Sequence, residues 1–279
     1  MASYTSWHIG GNADKYYRPS SIEDLAEFLS TLSSEEPITC LGLGSNVLID
    51  DAGIRGVVIH TLLPKGEEGL SLVEPTVLRV EAGIPCAKVA KFCVKNGLVG
   101  GEFFAGIPGT IGGALFMNAG AFGSETWKHV KSVEVINRYG EQSVRLPKDY
   151  KIGYRSAVGP KEEWFIAGHF QFEAGDPEIT SSKIKELLRQ RNASQPIGVF
   201  SCGSVFKNPP NDYAGRLIEA SKLKGFSIGG AQVSLKHANF IVNLGNARSL
   251  DVSQLIEHIQ GVVWADHQVK LYPEVKKLS

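Results

Sequence analysis

The chain has 279 residues, and its 29 Lys and Arg balance 29 Asp and Glu, so the formal net charge is zero. That balance argues against a dedicated nucleic-acid binder, where phosphate neutralisation leaves a basic excess, and against a polybasic membrane-surface mode. Hydrophobic residues at 43% and charged residues at 21% exclude disorder, while the 31 glycines, about 11% against a usual ~7%, call for backbone that turns tightly or approaches something closely.

In chain order, Ser20 opens the first predicted helix, in SSIEDLAEFLSTL, through a Ser–x–x–Glu capping box and apolar Ile22, Leu25, Leu29 and Leu32. Two β-rich runs follow, PITCLG from Pro37 and GVVIHT from Gly56, with the glycine turn GLGSN after the first. VLRVEAG reads as a strand. Pro85 then starts a helix through KVAKFCVKN that Gly97 stops. The segment from Gly97 to Gly123 carries nine glycines and little periodicity. VKSVEVINRYG and WFIAGHFQFE are predicted strands, 178–191 an amphipathic helix, and 192–200 a connector.

Beyond the connector, GSVFKNPP reads as a strand ending in a proline turn, and YAGRLIEASKL as a short helix stopped near Gly225. ANFIVNLGN is a predicted strand, 250–265 a helix, and LYPEVKKL a terminal strand. No internal repeat at a fixed period is present. The rhythm predicts a glycine-rich α+β part of about 170 residues and a smaller α/β part of about 105. No run of about 18 uninterrupted apolar residues exists, which excludes an ordinary transmembrane helix. Met1 to Gly10 lacks a basic-then-apolar signal pattern. Cys40, Cys86, Cys93 and Cys202 form no CxxC pair and no metal spacing, so free thiols in a reducing cytoplasm are expected, without disulfides or a metal site.

Two glycine segments compete as a phosphate loop. GLGSNV follows an apolar strand, but Val47 replaces the third glycine of GxGxxG. GIPGTIGG, from Gly106 to Gly113, has neither that spacing nor a Gly-Lys-Ser/Thr ending. A conventional Rossmann domain or P-loop NTPase is therefore disfavoured. Each loop alone reads equally well as a structural turn; together, clustered glycine amides can form an anion-binding nest.

At these residues the chain resembles the UDP-N-acetylenolpyruvoylglucosamine reductase family. The matching segments run nearly end to end: WHIGGNAD, GLGSNVLIDDAGIRGVVI, GIPGTIGGALFMNAGAFGSE, GYRS, GSVFKNPP, AGRLIEASKLKG, GGAQVSLKHANFIVNLGNA and LYPEVKKL. The resemblance implies an α+β fold: a two-lobed FAD-binding domain of the vanillyl-alcohol-oxidase-like type over 1–172, with lobes about 1–65 and 66–172, and an α/β substrate-binding domain over 173–279. It implies that NADPH reduces bound FAD, and that UDP-N-acetylglucosamine enolpyruvate is then reduced to UDP-N-acetylmuramate for peptidoglycan synthesis. It further implies a cytoplasmic monomer with no nucleic-acid, membrane or protein partner. Longer members carry an inserted lid segment in the substrate domain, which this chain lacks.

By the same resemblance, FAD is held by Gly42, Gly44, Ser45 and Asn46, by Gly106, Ile107, Pro108, Gly109, Thr110, Gly112 and Gly113, and by Asn118, Ala119 and Gly120. Ser204 matches the family's proton donor, Glu274 the glutamate that holds or relays the proton, and Arg155 the arginine on the substrate carboxylate. A guanidinium suits that last task because it donates two parallel hydrogen bonds. Tyr154, Lys207 and Asn208 are candidates for the substrate's phosphates or sugar, and Arg191 and Arg216 weaker ones. Cys202, beside the serine motif, is a minor alternative acid, and His237 in LKHANF is read as structural. The family's serine stands two positions after the arginine, whereas here Ser156 follows Arg155 directly. The closest rival reading is another flavoenzyme on the same scaffold, and a third is a nucleotide-sugar binding module. GSVFKNP and the C-terminal glutamate segment argue against the rival.

Overall fold

The structure, a computed structural model, describes residues 1–61 and 69–279; the lobe boundary expected near residue 65 lies outside the described residues. Helix α1 spans Ile22–Thr31, and its cap is Ser21 rather than Ser20. The Ser21 hydroxyl accepts the Asp24 N–H at 3.1 Å, and the Asp24 carboxylate accepts the Ser20 N–H at 2.6 Å. Both serines have an acid three residues on, so the pattern alone is degenerate. Tyr17 breaks the tie, because its hydroxyl also donates to Asp24 and fixes that carboxylate above the first turn.

Two compact units interleave along the chain. The larger comprises Tyr16–Leu43 and Val57–Arg191, the smaller Met1–Lys15, Gly44–Gly56 and Asn192–Ser279. The larger unit is built on a five-stranded antiparallel sheet with spatial order Gln142–Arg145, Val130–Asn137, Glu163–Gln171, Val77–Glu81 and Leu70–Glu74. Alternation sends Leu78, Val80, Val133, Val135 and Phe170 into one core, shared with helices α2 (Cys86–Lys95) and α3 (Ile111–Met117). On another face Arg79 donates twice to Glu134, at 2.7 and 2.6 Å. A second core joins Leu25 and Leu29 of α1 to Val57 and Ile59, where Ile38–Leu41 pairs in parallel with 57–60.

The expected α2 is present, with Pro85 at its cap and Gly97 just beyond it at φ +63°. Helix α3, inside the glycine-rich run, is not foreseen from sequence. Its seven residues include Gly112 and Gly113, each costing about 1 kcal/mol of helix propensity relative to alanine. Tertiary contact supplies what propensity lacks. The Gly112 N–H donates to Ala82 O at 2.8 Å, and a Cβ there would lie 3.0 Å from that of Ala82.

In the smaller unit, Trp7, Ile9 and Leu48 share a core with Val205, Phe206, Leu217, Ile218, Val233, Ile241 and Leu255. Trp7 Nε1 donates to Ile241 O at 2.8 Å, and Asn243 Nδ2 donates back to Trp7 O at 2.8 Å. The terminal strand Lys276–Leu278 lies parallel to Val47–Ile49. Helix α4, which belongs to the larger unit up to Arg191, covers Pro177–Ser194, three residues beyond its expected end, and helix α5 of the smaller unit covers Ala214–Ala220. GSVFKNPP is not a regular strand: it makes single bridges, Ser204 to Phe240 and Phe206 to Pro273. Pro273 has no N–H to extend a ladder, and Pro209–Pro210 end the segment. The mixed content agrees with the expected α+β class. Among the described residues, no helix is long and apolar enough to cross a membrane.

Helix α6, Ser249–His267, is capped from far away in sequence. The Asp51 carboxylate accepts the N–H groups of Ser249 and Leu250 at 2.8 and 3.0 Å. Asp51→Ala is expected to lower stability by about 1 kcal/mol, read as a lower urea midpoint with an unchanged slope. An unchanged midpoint would remove this cap from the account.

Candidate active site

The two glycine segments meet in the larger unit. A Cβ at Gly42 would lie 2.6 Å from Thr110 Oγ1, so glycine lets the first loop rest on the second. The Gly42 carbonyl accepts from His60 Nε2 at 3.1 Å, and His60 Nδ1 pairs with the Tyr16 hydroxyl at 2.7 Å. A carbonyl acceptor requires the proton on Nε2, so Nδ1 accepts from Tyr16. Burial holds the His60 pKa below its ordinary value, which favours that neutral form. Neither Tyr16 nor His60 carries a motif that would have marked it.

Thr110 caps α3, and its hydroxyl accepts the Gly113 N–H at 3.4 Å. Ile111 N donates to Ile84 O and Gly112 N to Ala82 O, so the first amides of α3 already serve the protein. What the segment offers is surface: Pro108 and Gly113 are exposed, and a Cβ at Gly113 would meet only Thr110 Oγ1, at 3.7 Å. Gly106 has a packing reason for lacking a side chain, since a Cβ would stand 2.5 Å from the Phe122 ring. Ile107 is buried. Gly109 O accepts the Cys86 N–H at 2.9 Å. Asn118 is fully buried and left-handed at φ +44°; its side chain donates to Gly153 O and accepts the Trp127 N–H. Ala119 O accepts the Thr126 hydroxyl at 2.7 Å.

Asn118 thereby ties the glycine segment to the hairpin that carries the arginine. Lys151–Gly153 and Ser156–Val158 pair with Gly153 opposite Ser156, leaving Tyr154 and Arg155 as the two-residue turn. Arg155 sits at φ +52°, a conformation that costs a residue with a Cβ about 1 kcal/mol or more. Its Nη2 donates to Gly120 O at 2.9 Å, and its guanidinium lies 5.3 Å from the Tyr154 ring centroid. Tyr154 is exposed. Ser156, the displaced serine, closes the hairpin as a strand residue.

The smaller unit gathers the other candidates. Gly44 is left-handed at φ +61°, its Cβ position only 2.0 Å from Tyr4 O. The N–H groups of Gly44, Ser45 and Asn46 find no backbone acceptor among the described residues, so this turn presents donors that suit an anion. Asn46 Nδ2 donates to Glu274 O at 3.2 Å, and Lys276 N donates to Asn46 O at 3.0 Å. The loop therefore holds the main chain of the candidate glutamate. Glu274 N in turn donates to Val205 O at 2.7 Å, one residue from Ser204, and Lys207 N donates to Tyr272 O at 2.9 Å. Ser204, Glu274 and Lys207 are all half-buried. This unit thus brings Asn46, Glu274, Lys207 and the main chain beside Ser204 onto one hydrogen-bonded framework.

Other side chains are committed elsewhere. Asn208 Oδ1 accepts the Ala214 N–H at 3.1 Å at the start of α5, and Arg216 pairs with Asp212, whose pKa it lowers to about 2. Cys202 does not suit the role of acid. Its thiol is buried, donates to Gly44 O and Val47 O, and is pushed up to about 12 by burial. His237 Nδ1 accepts the Asn239 N–H at 3.2 Å. Among the described residues, no group of three or more His, Cys, Asp or Glu could hold a metal.

Residues 195–278 match the family model "UDP-N-acetylenolpyruvoylglucosamine reductase, C-terminal domain", and residues 13–144 match "FAD binding domain". A UDP-N-acetylenolpyruvoylglucosamine reductase of Coxiella burnetii is 52% identical over 99% of this chain and 92% of its own length. One from Alkalilimnicola ehrlichii is 50% identical over 99% and 91%. The crystal structure of UDP-N-acetylenolpyruvylglucosamine reductase from Thermus caldophilus superposes with a TM-score of 0.85 at 32% identity, covering 100% of this chain and 97% of that one.

The cysteines supply a direct check on the packing of the site. Burial raises the pKa of all four thiols, so thiolate is scarce well above neutral pH. At pH 8 the native protein is expected to react with an aromatic disulfide reagent at least ~10-fold more slowly than the unfolded chain. Rapid titration of a thiol in the native state would contradict this.

Proposed function

The chain belongs to the UDP-N-acetylenolpyruvoylglucosamine reductase family, and from that premise we propose that Ser204, Glu274 and Arg155 handle the proton and the developing charge of its reaction. The reaction reduces the enolpyruvyl group of UDP-N-acetylglucosamine enolpyruvate to give UDP-N-acetylmuramate, a precursor of peptidoglycan. Bound FAD would supply the hydride chemistry that links NADPH to the terminal carbon of the substrate double bond. The neighbouring carbon then needs a proton, and its carboxylate needs a cation while charge is delocalised onto it.

The residues fit that demand. Arg155, held at Gly120 and over the Tyr154 ring, is the cation for the carboxylate. Ser204 supplies the proton, and Glu274 holds or returns it; the observation that carries this pairing is the 2.7 Å bond from Glu274 N to Val205 O beside Ser204. Lys207 provides local positive charge for the substrate's phosphates in a protein of zero net charge. Tyr154 and Asn208 complete the substrate side, Asn208 chiefly by shaping the start of α5.

For FAD, the turn at Gly44, Ser45 and Asn46 in the smaller unit offers donors to the pyrophosphate, and in the larger unit Gly42, Pro108, Gly109, Thr110, Gly112 and Gly113 offer backbone to the cofactor. We assign Gly106, Ile107, Asn118, Ala119 and Gly120 to the same cofactor side. We assign the cofactor role to 1–172 and the substrate role to 173–279, a division supported by family matches at 13–144 and 195–278. We read the protein as a cytoplasmic monomer; its free cysteines support the reducing compartment.

Ser204→Ala is expected to keep bound flavin and its reduction by NADPH while substrate turnover falls about 10²- to 10⁴-fold. Retained turnover would end the proton-donor role. Arg155→Ala should slow substrate reduction more than flavin reduction, as followed by stopped-flow absorbance. Loss of flavin alone would move Arg155 to the cofactor site.

A further inference from the structure

We infer that Asn239 is a positioning residue for Ser204, acting through the main chain that follows the serine. This rests on the reading of Ser204 as proton donor. Gly203, just before the serine, is left-handed at φ +73°, and a Cβ there would meet nothing within 4 Å. Gly203 thus brings no side-chain packing to bear on the serine, whereas the residues that follow it are held by hydrogen bonds.

Asn239 holds them with three bonds. Its carbonyl accepts the Val205 N–H at 2.9 Å, its Oδ1 accepts the Phe206 N–H at 2.9 Å, and its Nδ2 donates to Phe206 O at 2.8 Å. The side-chain amide thus stands in for a neighbouring strand, pairing donor to acceptor and acceptor to donor. The amide cannot be reversed, because that would set O against O and N–H against N–H. Asn239 is 4% exposed, so the bonds form where water does not compete.

The residue is itself braced. Its N–H donates to His237 Nδ1, which requires an imidazole with its proton on Nε2, and Gly215 leaves room for that ring, its Cβ position lying 3.2 Å from His237 Cε1. On the opposite edge of the segment, Val205 O takes the Glu274 N–H and Lys207 N–H reaches Tyr272 O. Asn239 therefore also sets the Val205 carbonyl to which the Glu274 main chain is bonded. An aspartate would be nearly isosteric but could only accept: it would keep the Phe206 N–H bond and place a carboxylate oxygen against Phe206 O.

The test uses the FAD-loaded enzyme and the variants Asn239→Asp and Asn239→Ser, each alone and in a Ser204→Ala background. Stopped-flow reduction of bound flavin by NADPH, steady-state kcat and KM for UDP-N-acetylglucosamine enolpyruvate, and Tm are measured for each. Asn239→Asp is expected to lower kcat about 10²-fold, the scale of a misplacement of about 1 Å. Flavin reduction should stay unchanged, and the Ser204→Ala background should lose nothing further, because the two residues act as a unit. Asn239→Ser carries the same comparison if the aspartate variant does not fold. Equal fractional losses of kcat in both backgrounds, or full turnover by the Asn239 variants, would overturn the inference. Full turnover by Ser204→Ala alone is a separate failure, removing the proton-donor reading itself.

Discussion

One extended segment, Ser204 to Lys207, has hydrogen-bonded neighbours on both edges, and the smaller unit is organised around it. Asn239 borders it on one side and Tyr272 to Glu274 on the other. Val205 and Phe206 are buried, so the segment is anchored by packing as well as by main-chain bonds. A serine is a poor acid and a flexible one. In the proposed role its usefulness lies in being held at a fixed place, and the bonds on both edges of this segment fix its main chain. The same framework reaches the N-terminal part of the chain, because Asn46 binds Glu274 O and Val47–Ile49 pairs with the terminal strand.

The glycine excess has two physical causes that composition alone does not separate. Some glycines are where the protein packs against itself: Gly106 against Phe122, Gly112 against Ala82, Gly44 against Tyr4 O. Others leave surface open, as Gly113 does. The amides at the start of α3 are engaged by Ile84, Ala82 and Thr110, whereas those of Gly44 to Asn46 find no backbone acceptor among the described residues. The second glycine segment therefore resembles a wall more than a nest, and the first has the donors that an anion requires.

Long elements with strong local signals were legible from sequence. The strands Val130–Asn137 and Glu163–Gln171, and α2 and α6, stand close to where alternation, proline and glycine punctuation and apolar spacing put them. Helix α3 was hidden because its paired glycines suppress propensity and its stability is tertiary. The cap of α1 slipped by one residue because two serines satisfy the same rule and Tyr17 decides between them. GSVFKNPP reads as a strand by composition but makes isolated bridges, since Pro273 cannot donate.

The candidate site residues were legible only through motifs. Nothing local distinguishes Ser204, Glu274 or Arg155 from surface residues, and the partners of their neighbourhoods lie far away in sequence. Asn239, bonded to a residue 33 positions away, and His60, bonded to a carbonyl 18 positions away, illustrate the same limit. The reductase reaction of this chain is tested most directly by one measurement. The purified holoenzyme is reduced anaerobically with one equivalent of NADPH, then mixed with UDP-N-acetylglucosamine enolpyruvate while flavin absorbance is followed. The account predicts prompt, stoichiometric return of the oxidised flavin spectrum, with UDP-N-acetylmuramate formed. Flavin that stays reduced until air is admitted would contradict it.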